Sequence, residues 1–274
     1  MIMRHNQEAT DGLHTYKLKE NSLADLSPKQ YQQLMVKLTK SNRRKLSDNE
    51  EILTSSRGFD ADLPDEVDWR ERGFITPPIN QLTCGSCYAF SIVHTVQGQI
   101  FKQTGDLKYL SEQQIIDCST RMGNYGCGGG SLRNTLRYIE RSGGLMRYQD
   151  YPYNAKQNKC HYDRHKSVIN ITSWAILPSR DEDALENAVA NIGPIAVSIN
   201  ASPETFQLYS EGIYDDIKCS SKHVNHAMLL VGYTKKYWIL KNWWGSNWGE
   251  NGFMKLRRNV NRCGVANYAA YSLI

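Results

Sequence analysis

Cys87 is the residue around which this chain can do chemistry. It stands in the run Gln81-Leu82-Thr83-Cys84-Gly85-Ser86-Cys87-Tyr88-Ala89-Phe90, with His226-Ala227 and Asn242-Trp243-Trp244-Gly245 far downstream. A thiol is a good nucleophile only as thiolate, and it ionises near neutral pH when a helix N-terminus or an imidazolium stabilises the charge. The sequence offers both. From Cys87, apolar residues recur at Phe90, Val93, Val96 and Ile100, with Gln97 as a miss, which is the spacing of one helix face to about residue 102. Gly85-Ser86 in front can cap its first turn, and Thr104-Gly105 ends it. Cys87 then falls where unpaired N–H groups and the helix macrodipole favour an anion.

The partner groups come from the other half of the chain. Residues 227 to 233 and 237 to 242 read as two strands joined by about three residues, a hairpin. Folding about Lys235 brings His226 and Asn242 to the same end of neighbouring strands. The Asn242 amide oxygen accepts from one imidazole nitrogen, and the other is left to face a thiol, as a nucleophile, base and orienter require. The cluster Trp243, Trp244 and Trp248 screens that bond from water, which strengthens it. The expected resting state is a thiolate–imidazolium pair. The thiolate attacks a carbonyl, the imidazolium protonates the departing amine, and water then releases the acyl group with imidazole as base. The backbone N–H of Cys87 and the Gln81 side chain are the oxyanion donors, each worth roughly 3 kcal/mol of barrier.

Blander readings were weighed against this one. Cys84-x-x-Cys87 alone would suit a redox pair or half a zinc site. A redox motif needs a βαβ setting, and Pro77-Pro78-Ile79-Asn80 is not a strand; a zinc site needs a second ligand pair, and none is spaced for it. A lone histidine before a strand is more often structural. Gly128-Gly129-Gly130 lacks the Lys-Ser/Thr of a phosphate loop. No metal and no cofactor is called for.

The 274 residues suffice for one large domain or two small ones, with 40% hydrophobic and 22% charged residues in the globular range. No apolar run approaches the roughly 18 residues of a membrane helix, and the net charge of +5 is dispersed, so neither a membrane nor a nucleic acid is a predicted partner. The one basic cluster, Lys37, Lys40, Arg43, Arg44 and Lys45, reads as a solvated linker. Seven cysteines, 84, 87, 118, 127, 160, 219 and 263, suggest disulfides plus one free thiol, hence an oxidising compartment. Sequons at Asn170 and Asn200 agree with a secretory route as glycosylation sites, the second weakened by Pro203. The first residues lack a signal peptide's apolar core, which leaves a cytosolic protein or a missing N-terminus.

Residues 1 to 62 are polar, with a helix expected over residues 28 to 40 and a charged linker over residues 45 to 62. Helices are expected from Ser111 and Ser131, each with a capping serine, and from Ser179 with Glu182 three residues on. Strands dominate after residue 191: 195 to 199, 227 to 233, 237 to 242 and 253 to 256. Helices first and strands later imply an α+β fold with a cleft between the halves.

These motifs, in this order, resemble the papain-like cysteine peptidases of the cathepsin L type. The resemblance rests on Val67-Asp68-Trp69-Arg70, residues 81 to 91, Leu110-Ser111-Glu112-Gln113, residues 126 to 130, His226 and residues 242 to 252, and it covers residues 63 to 274. It implies a helical left domain and an antiparallel β-barrel-like right domain with the active-site cleft between them. It implies that Cys87 is nucleophile, His226 acid/base, Asn242 orienter and Gln81 oxyanion donor, and it implies disulfides Cys84–Cys127, Cys118–Cys160 and Cys219–Cys263. Gly129 and Gly130 would pair with substrate backbone. Leu132, Ser198, Val224, Ala227 and Tyr268, with Asn225 beside them, would line the pocket for the second residue before the scissile bond, and Trp244 the far side of that bond. Four positions depart from the family pattern: Tyr88 for Trp, Asn225 for Asp, Trp243 for Ser, and Tyr268 for a small residue. The last predicts a shallower pocket for mid-sized apolar side chains.

Residues 1 to 62 resemble the back part of the family's inhibitory propeptide, through His5-Asn6-Gln7-Glu8 and Asn21-Ser22-Leu23-Ala24-Asp25. A truncated propeptide favours the missing N-terminus over a cytosolic life, and a lysosomal or extracellular destination. The resemblance thus implies an acid-active endopeptidase made as a zymogen, matured by cleavage near residues 60 to 64. It implies a monomer that meets protein and peptide substrates, its own propeptide, and cystatin-like or propeptide-like inhibitors. The alternative of another class is a catalytically inactive relative serving binding or storage.

Overall fold

The computed structural model describes residues 1 to 41, 50 to 52 and 63 to 274. The chain opens with α1 (Ile2–Thr10), β1 (Tyr16–Leu18) and α2 (Pro28–Leu34). Next come β2 (Glu50–Ile52), β3 (Val67–Asp68), and the helices α3 (Cys87–Thr104), α4 (Glu112–Cys118) and α5 (Leu132–Ser142). A two-stranded ribbon of β4 (Leu145–Met146) and β5 (Ser167–Ile169) leads to β6 (Ser173–Ile176), α6 (Glu182–Asn191), β7 (Ile195–Ile199) and α7 (Glu204–Gln207). The last strands are β8 (Tyr209–Tyr214), β9 (His226–Tyr233), β10 (Tyr237–Lys241), β11 (Phe253–Arg257) and β12 (Ala269–Leu273). The order β1-β8-β11-β10-β9-β7-β12-β6-β2 is antiparallel except at β11·β8 and β2·β6. This is the α+β architecture expected, helices in one half and a sheet in the other.

Helix α3 sits between the halves, packed on β9, β12 and β7 on one side and α4 and α5 on the other. Every residue from Cys87 to Ile100 is buried, so the one-faced reading of its apolar spacing was too narrow: a helix covered on all sides has no polar face. Gly105 closes it in the left-handed region at φ 76°. Ser86 does not cap it. The Ser86 hydroxyl donates to Cys84 O at 3.2 Å and lies 3.0 Å from the Tyr153 hydroxyl, so the orphan N–H groups stay available at the cleft.

The other helix starts hold with adjustments. Ser111 accepts from Gln114 N at 2.9 Å and Ser131 from Asn134 N at 3.4 Å. The cap of α6 is Asp181, not Ser179; its carboxylate accepts from Ala184 N at 2.8 Å. Glu182 instead accepts from the Trp238 indole at 2.9 Å.

Two expectations for the first 62 residues are corrected. Helix α2 ends at Leu34, six residues before the predicted end. Its start is fixed by Pro28 and a full capping box between Ser27 and Gln30. Beyond it the backbone hydrogen bonds go to the cleft, so the helical ladder cannot continue. Within the expected linker, β2 pairs in parallel with β6, while residues 45 to 49 and 53 to 62 of that linker lie outside the described residues. Of the basic cluster, Lys37 is half-buried in the cleft rather than solvated; Arg43, Arg44 and Lys45 lie outside the described residues.

All three disulfides are present, Cys84–Cys127, Cys118–Cys160 and Cys219–Cys263. Cys87 is left as a free, buried thiol. No helix among the described residues is long and apolar enough to cross a membrane.

Candidate active site

Cys87 is the first residue of α3, and the chain doubles back so that β9 and β10 face it. The hairpin turns through Thr234 to Lys236 and is closed by Thr234 N donating to Tyr237 O at 2.9 Å. Trp238 pairs with Tyr233 and Lys241 with Leu229, with one register shift between. His226 opens β9 and Asn242 follows the end of β10, and their side chains meet: Nε2 of His226 lies 2.8 Å from Asn242 Oδ1. The same Oδ1 accepts from Trp243 N at 2.8 Å. Nδ1 of His226 has no hydrogen-bond partner. The backbone amides of Ala227, Lys37, Tyr88 and Cys87 itself favour the ionised form of the Cys87 sulfur. Trp244 stacks on the imidazole, centroids 4.8 Å apart and planes within 27°. Trp243, Trp244 and Trp248 are all buried, so water is kept from the His226–Asn242 bond as expected.

Gln81 is tied both to Trp243 and to Cys84, three residues before the thiol. Its backbone N–H donates to Trp243 O at 2.8 Å, and its carbonyl accepts from the Tyr153 hydroxyl at 2.6 Å. The Gln81 Nε2 donates to Cys84 O at 3.0 Å and to Met35 O at 3.2 Å. A carbonyl from the chain's own beginning therefore stands on the donor predicted for a substrate's oxyanion.

That carbonyl belongs to a segment threaded along the cleft. Leu38 N donates to Asn225 O at 2.8 Å, Thr39 N to Gly130 O at 2.8 Å, and Gly130 N to Lys37 O at 3.3 Å. Gly130 thus pairs with the chain's own backbone, while the Gly129 N–H goes to Gly126 O and its carbonyl accepts from Tyr125 N. What Gly129 contributes is a missing side chain. A Cβ at its φ of +113° would lie 2.2 Å from Lys37 O. Tyr31 anchors the segment from behind. Its ring meets Trp244 edge-on at 5.6 Å and its hydroxyl donates to Ala201 O at 2.6 Å.

The residues expected to line the pocket differ in exposure. Leu132, Ser198 and Ala227 are buried and Val224 and Tyr268 half-buried, with Ser198 N donating to Tyr268 O at 2.8 Å. The Arg133 guanidinium lies 5.9 Å from the Tyr268 ring centroid. Asn225 meets the segment with its backbone only, because its side chain bonds Ala201 N and Ser202 Oγ. The Asn200 sequon is corrected: Asn200 is only 6% exposed and its Nδ2 donates to His223 O at 2.7 Å, which leaves no room for a sugar. Asn170 is exposed.

Burial works against the expected thiolate–imidazolium pair in this covered state. It pushes the Cys87 thiol up to about 11, against the pull of the surrounding amides. It takes His226 down to about 4, with the Asn242 bond opposing. Both shifts favour the neutral forms, as loss of solvating water does for any charge. The sequence reading missed the threaded segment. Its signal was the alternation of Val36 and Leu38 with Lys37 and Thr39, the period of extended chain rather than helix.

A buried thiol at a helix start, a histidine–asparagine pair on the facing sheet and an amide donor beside them define a thiol-dependent hydrolase. The chain belongs to the papain family of cysteine proteases, whose family model matches residues 63 to 273. It is similar to cathepsin L2 of Homo sapiens, 40% identical over 280 residues that cover 99% of this chain and 82% of that protein. Cathepsin K of Mus musculus is 41% identical over 275 residues, covering 98% and 82%. Among solved structures, digestive procathepsin L 3 of the Tenebrio molitor larval midgut superposes with a TM-score of 0.89 at 38% identity, covering all of this chain and 88% of that one. The digestive procathepsin L2 proteinase of the same source gives 0.92 at 32% identity, covering 100% and 89%. The chain is a cysteine endopeptidase of the cathepsin L type, made as a zymogen.

Proposed function

We propose that residues 1 to 62 are inhibitory pro-segment and that residues 63 to 274 are the catalytic domain. Cys87 is the nucleophile, His226 the acid/base, Asn242 the orienter and Gln81 an oxyanion donor. The observation that carries this reading is the Met35 carbonyl on Gln81 Nε2 with the Lys37-to-Thr39 backbone paired to Gly130 and Asn225. The chain's own backbone holds the track that a substrate's backbone would use.

Once the segment leaves, water reaches the sulfur and the imidazole, and a proton passes from thiol to ring. The sulfur then attacks the scissile carbonyl carbon and the carbonyl pair moves to oxygen, met by Cys87 N–H and Gln81 Nε2. The imidazolium gives its proton to the leaving amine, which breaks the C–N bond and leaves a thioester. Water adds to the thioester with imidazole taking its proton, and the carboxylic acid leaves as the thiol returns. His226 stays oriented throughout by Asn242.

Leu132, Ser198, Val224, Ala227 and Tyr268 form the pocket for the second residue before the scissile bond, with Gly129, Gly130 and Asn225 along its rim and Trp244 beyond the sulfur. Leu38, half-buried among the cleft residues, supports a preference for side chains of its size. Protein and peptide substrates, cystatin-like or propeptide-like inhibitors, a monomeric state and a lysosomal or extracellular destination complete the reading. Three disulfides support the secretory route.

The test is turnover of an unfolded protein and of a peptide library by the acid-matured chain, against Cys87→Ser prepared identically. The wild type cuts internal bonds after a mid-sized apolar residue at the second position, and Cys87→Ser cuts none. Hydrolysis by Cys87→Ser at the wild-type rate would overturn the assignment, and equal or better cleavage with Phe at that position would overturn the pocket.

A further inference from the structure

Trp243 touches the support of every catalytic position. Its backbone N–H donates to Asn242 Oδ1 at 2.8 Å, its carbonyl accepts from Gln81 N at 2.8 Å, and its indole N–H donates to Ala227 O at 2.9 Å, one residue past His226. Its ring packs on α3, the helix that begins at Cys87: the Phe90 ring lies 5.3 Å away with planes within 24°, and the His94 ring 4.8 Å away. Cys87, Phe90 and His94 are three and four residues apart and share a face of α3.

Two of these contacts belong to the indole itself. One ties the strand that carries His226 to the residue that fixes Asn242. The other sets both against the helix that carries the thiol, so the ring spans the two halves of the fold. Serine, the commoner residue of the papain-like pattern at this position, could reach neither Ala227 O nor α3 in this way.

The surroundings of the ring are as particular as the ring. His94 Nε2 lies 3.2 Å from Glu112 Oε1, both groups buried. Burial raises Glu112 to about 8 and lowers His94, so both shifts favour the neutral forms of this carboxyl–imidazole pair. Lys241 lies 6.0 Å from the Trp243 ring centroid and is anchored by Thr76 O at 2.9 Å, the Thr76 hydroxyl and Pro77 O at 2.8 Å. His94 from α3, Glu112 from α4 and Lys241 from β10 are, with His226 itself, the titratable groups around this ring.

We propose that Trp243 is a positioning residue: its side chain registers the thiol-bearing helix against the His226–Asn242 pair, and so sets how well the imidazolium is held in the uncovered enzyme. The proposal rests on the catalytic roles given above. The Asn242 bond favours charged His226. A looser residue 243 lets that bond lengthen, and the lost hydrogen bond lets the imidazolium deprotonate at lower pH.

The experiment compares wild type, Trp243→Phe and Trp243→Ser as full chains, activated with pepsin at acid pH and freed of it by an aspartic-protease inhibitor. The readouts are kcat and KM on one peptide substrate, the pH profile of kcat/KM, and the alkylation rate of Cys87 by iodoacetamide. Phenylalanine keeps the ring against α3 and loses the donor to Ala227 O. It should lower kcat about tenfold, the scale of one oriented hydrogen bond, with KM within about twofold. The alkaline limb of the profile should move down by about half a pH unit or more, and alkylation near neutrality should slow with it. Trp243→Ser should lose more on each readout, so that phenylalanine is a partial rescue. Glu112 and Lys241 are shifted towards the same pH range, so the limb is assigned to His226 only where the Cys87 alkylation rate moves with it.

Folded variants with wild-type kcat, limb and alkylation rate would overturn the proposal. So would a lower kcat with limb and alkylation unmoved, which is the mark of a merely structural role. Should Trp243→Ser fail to fold, Trp243→Phe decides alone. A wild type that neither turns over nor alkylates selectively overturns the catalytic assignment itself, a separate outcome.

Discussion

Acidification should open the covered cleft through His226. In the closed state burial holds this imidazole at about 4, against an ordinary 6.5. A base with a lowered pKa binds fewer protons closed than open, so the closed state loses stability as pH falls from 6.5 towards 4. At about 1.36 kcal/mol per pH unit, that span is worth roughly 3 kcal/mol, a shift of about two orders of magnitude in the open-to-closed ratio. In the Cys87→Ser chain, which has no thiol to share a proton, nothing is lost above 6.5, where the imidazole is neutral in both states. The assay is amide hydrogen exchange of Leu38 and Thr39, whose N–H groups donate to Asn225 O and Gly130 O. The uncut Cys87→Ser chain is measured at pH 7 and pH 4 after correction for intrinsic exchange. Protection should fall about a hundredfold, and His226→Gln in that background should remove most of the fall. The remainder is assigned to His5, which burial also lowers. Unchanged protection, or the same loss with His226→Gln, would refute the reasoning.

Four other outcomes are expected. Tyr31→Ala removes a buried ring from Trp244 and should weaken the cover by about 3–5 kcal/mol, raising the pH at which the chain processes itself; an unmoved processing midpoint counts against the anchor. Gly129→Ala puts a Cβ against Lys37 O and should make added pro-segment a weaker inhibitor of the matured enzyme, read as a higher inhibition constant. Cys84→Ser should lower the unfolding midpoint by the equivalent of roughly 2–5 kcal/mol while Cys87→Ser leaves it within error, since only the first breaks a disulfide. Asn170→Gln should abolish any glycan mass in secreted protein, and Asn200→Gln should not change it.

Much of the site was legible because its signals are local. The spacing from Cys87, the three-residue turn after Tyr233 and the strand limits put His226 and Asn242 together before any coordinates, and the 2.8 Å contact bears this out. The α+β division was readable from where apolar period changes. What stayed hidden depends on tertiary context. The burial of α3 on every side needs both halves in place, and no periodicity announces it. The end of α2 at Leu34 follows from acceptors that Gly130 and Asn225 supply from nearly a hundred and two hundred residues away. The ionisation state depends on tertiary context too: burial beneath the covering chain opposes the charges that a wetted cleft would favour. His94 and Glu112 give no signal as a pair, since eighteen residues separate them and they sit on different helices.

The measurement that bears most directly on the account is the alkylation rate of Cys87 between pH 4 and 8, in the uncut chain and after maturation. An ordinary thiol is almost wholly protonated at pH 5. The account predicts a matured enzyme that reacts at pH 5 at least about a hundredfold faster than such a thiol, and an uncut chain slower than the matured form wherever the cleft is closed. Equal rates in the two forms, both rising with pH as a free thiol does, would contradict it.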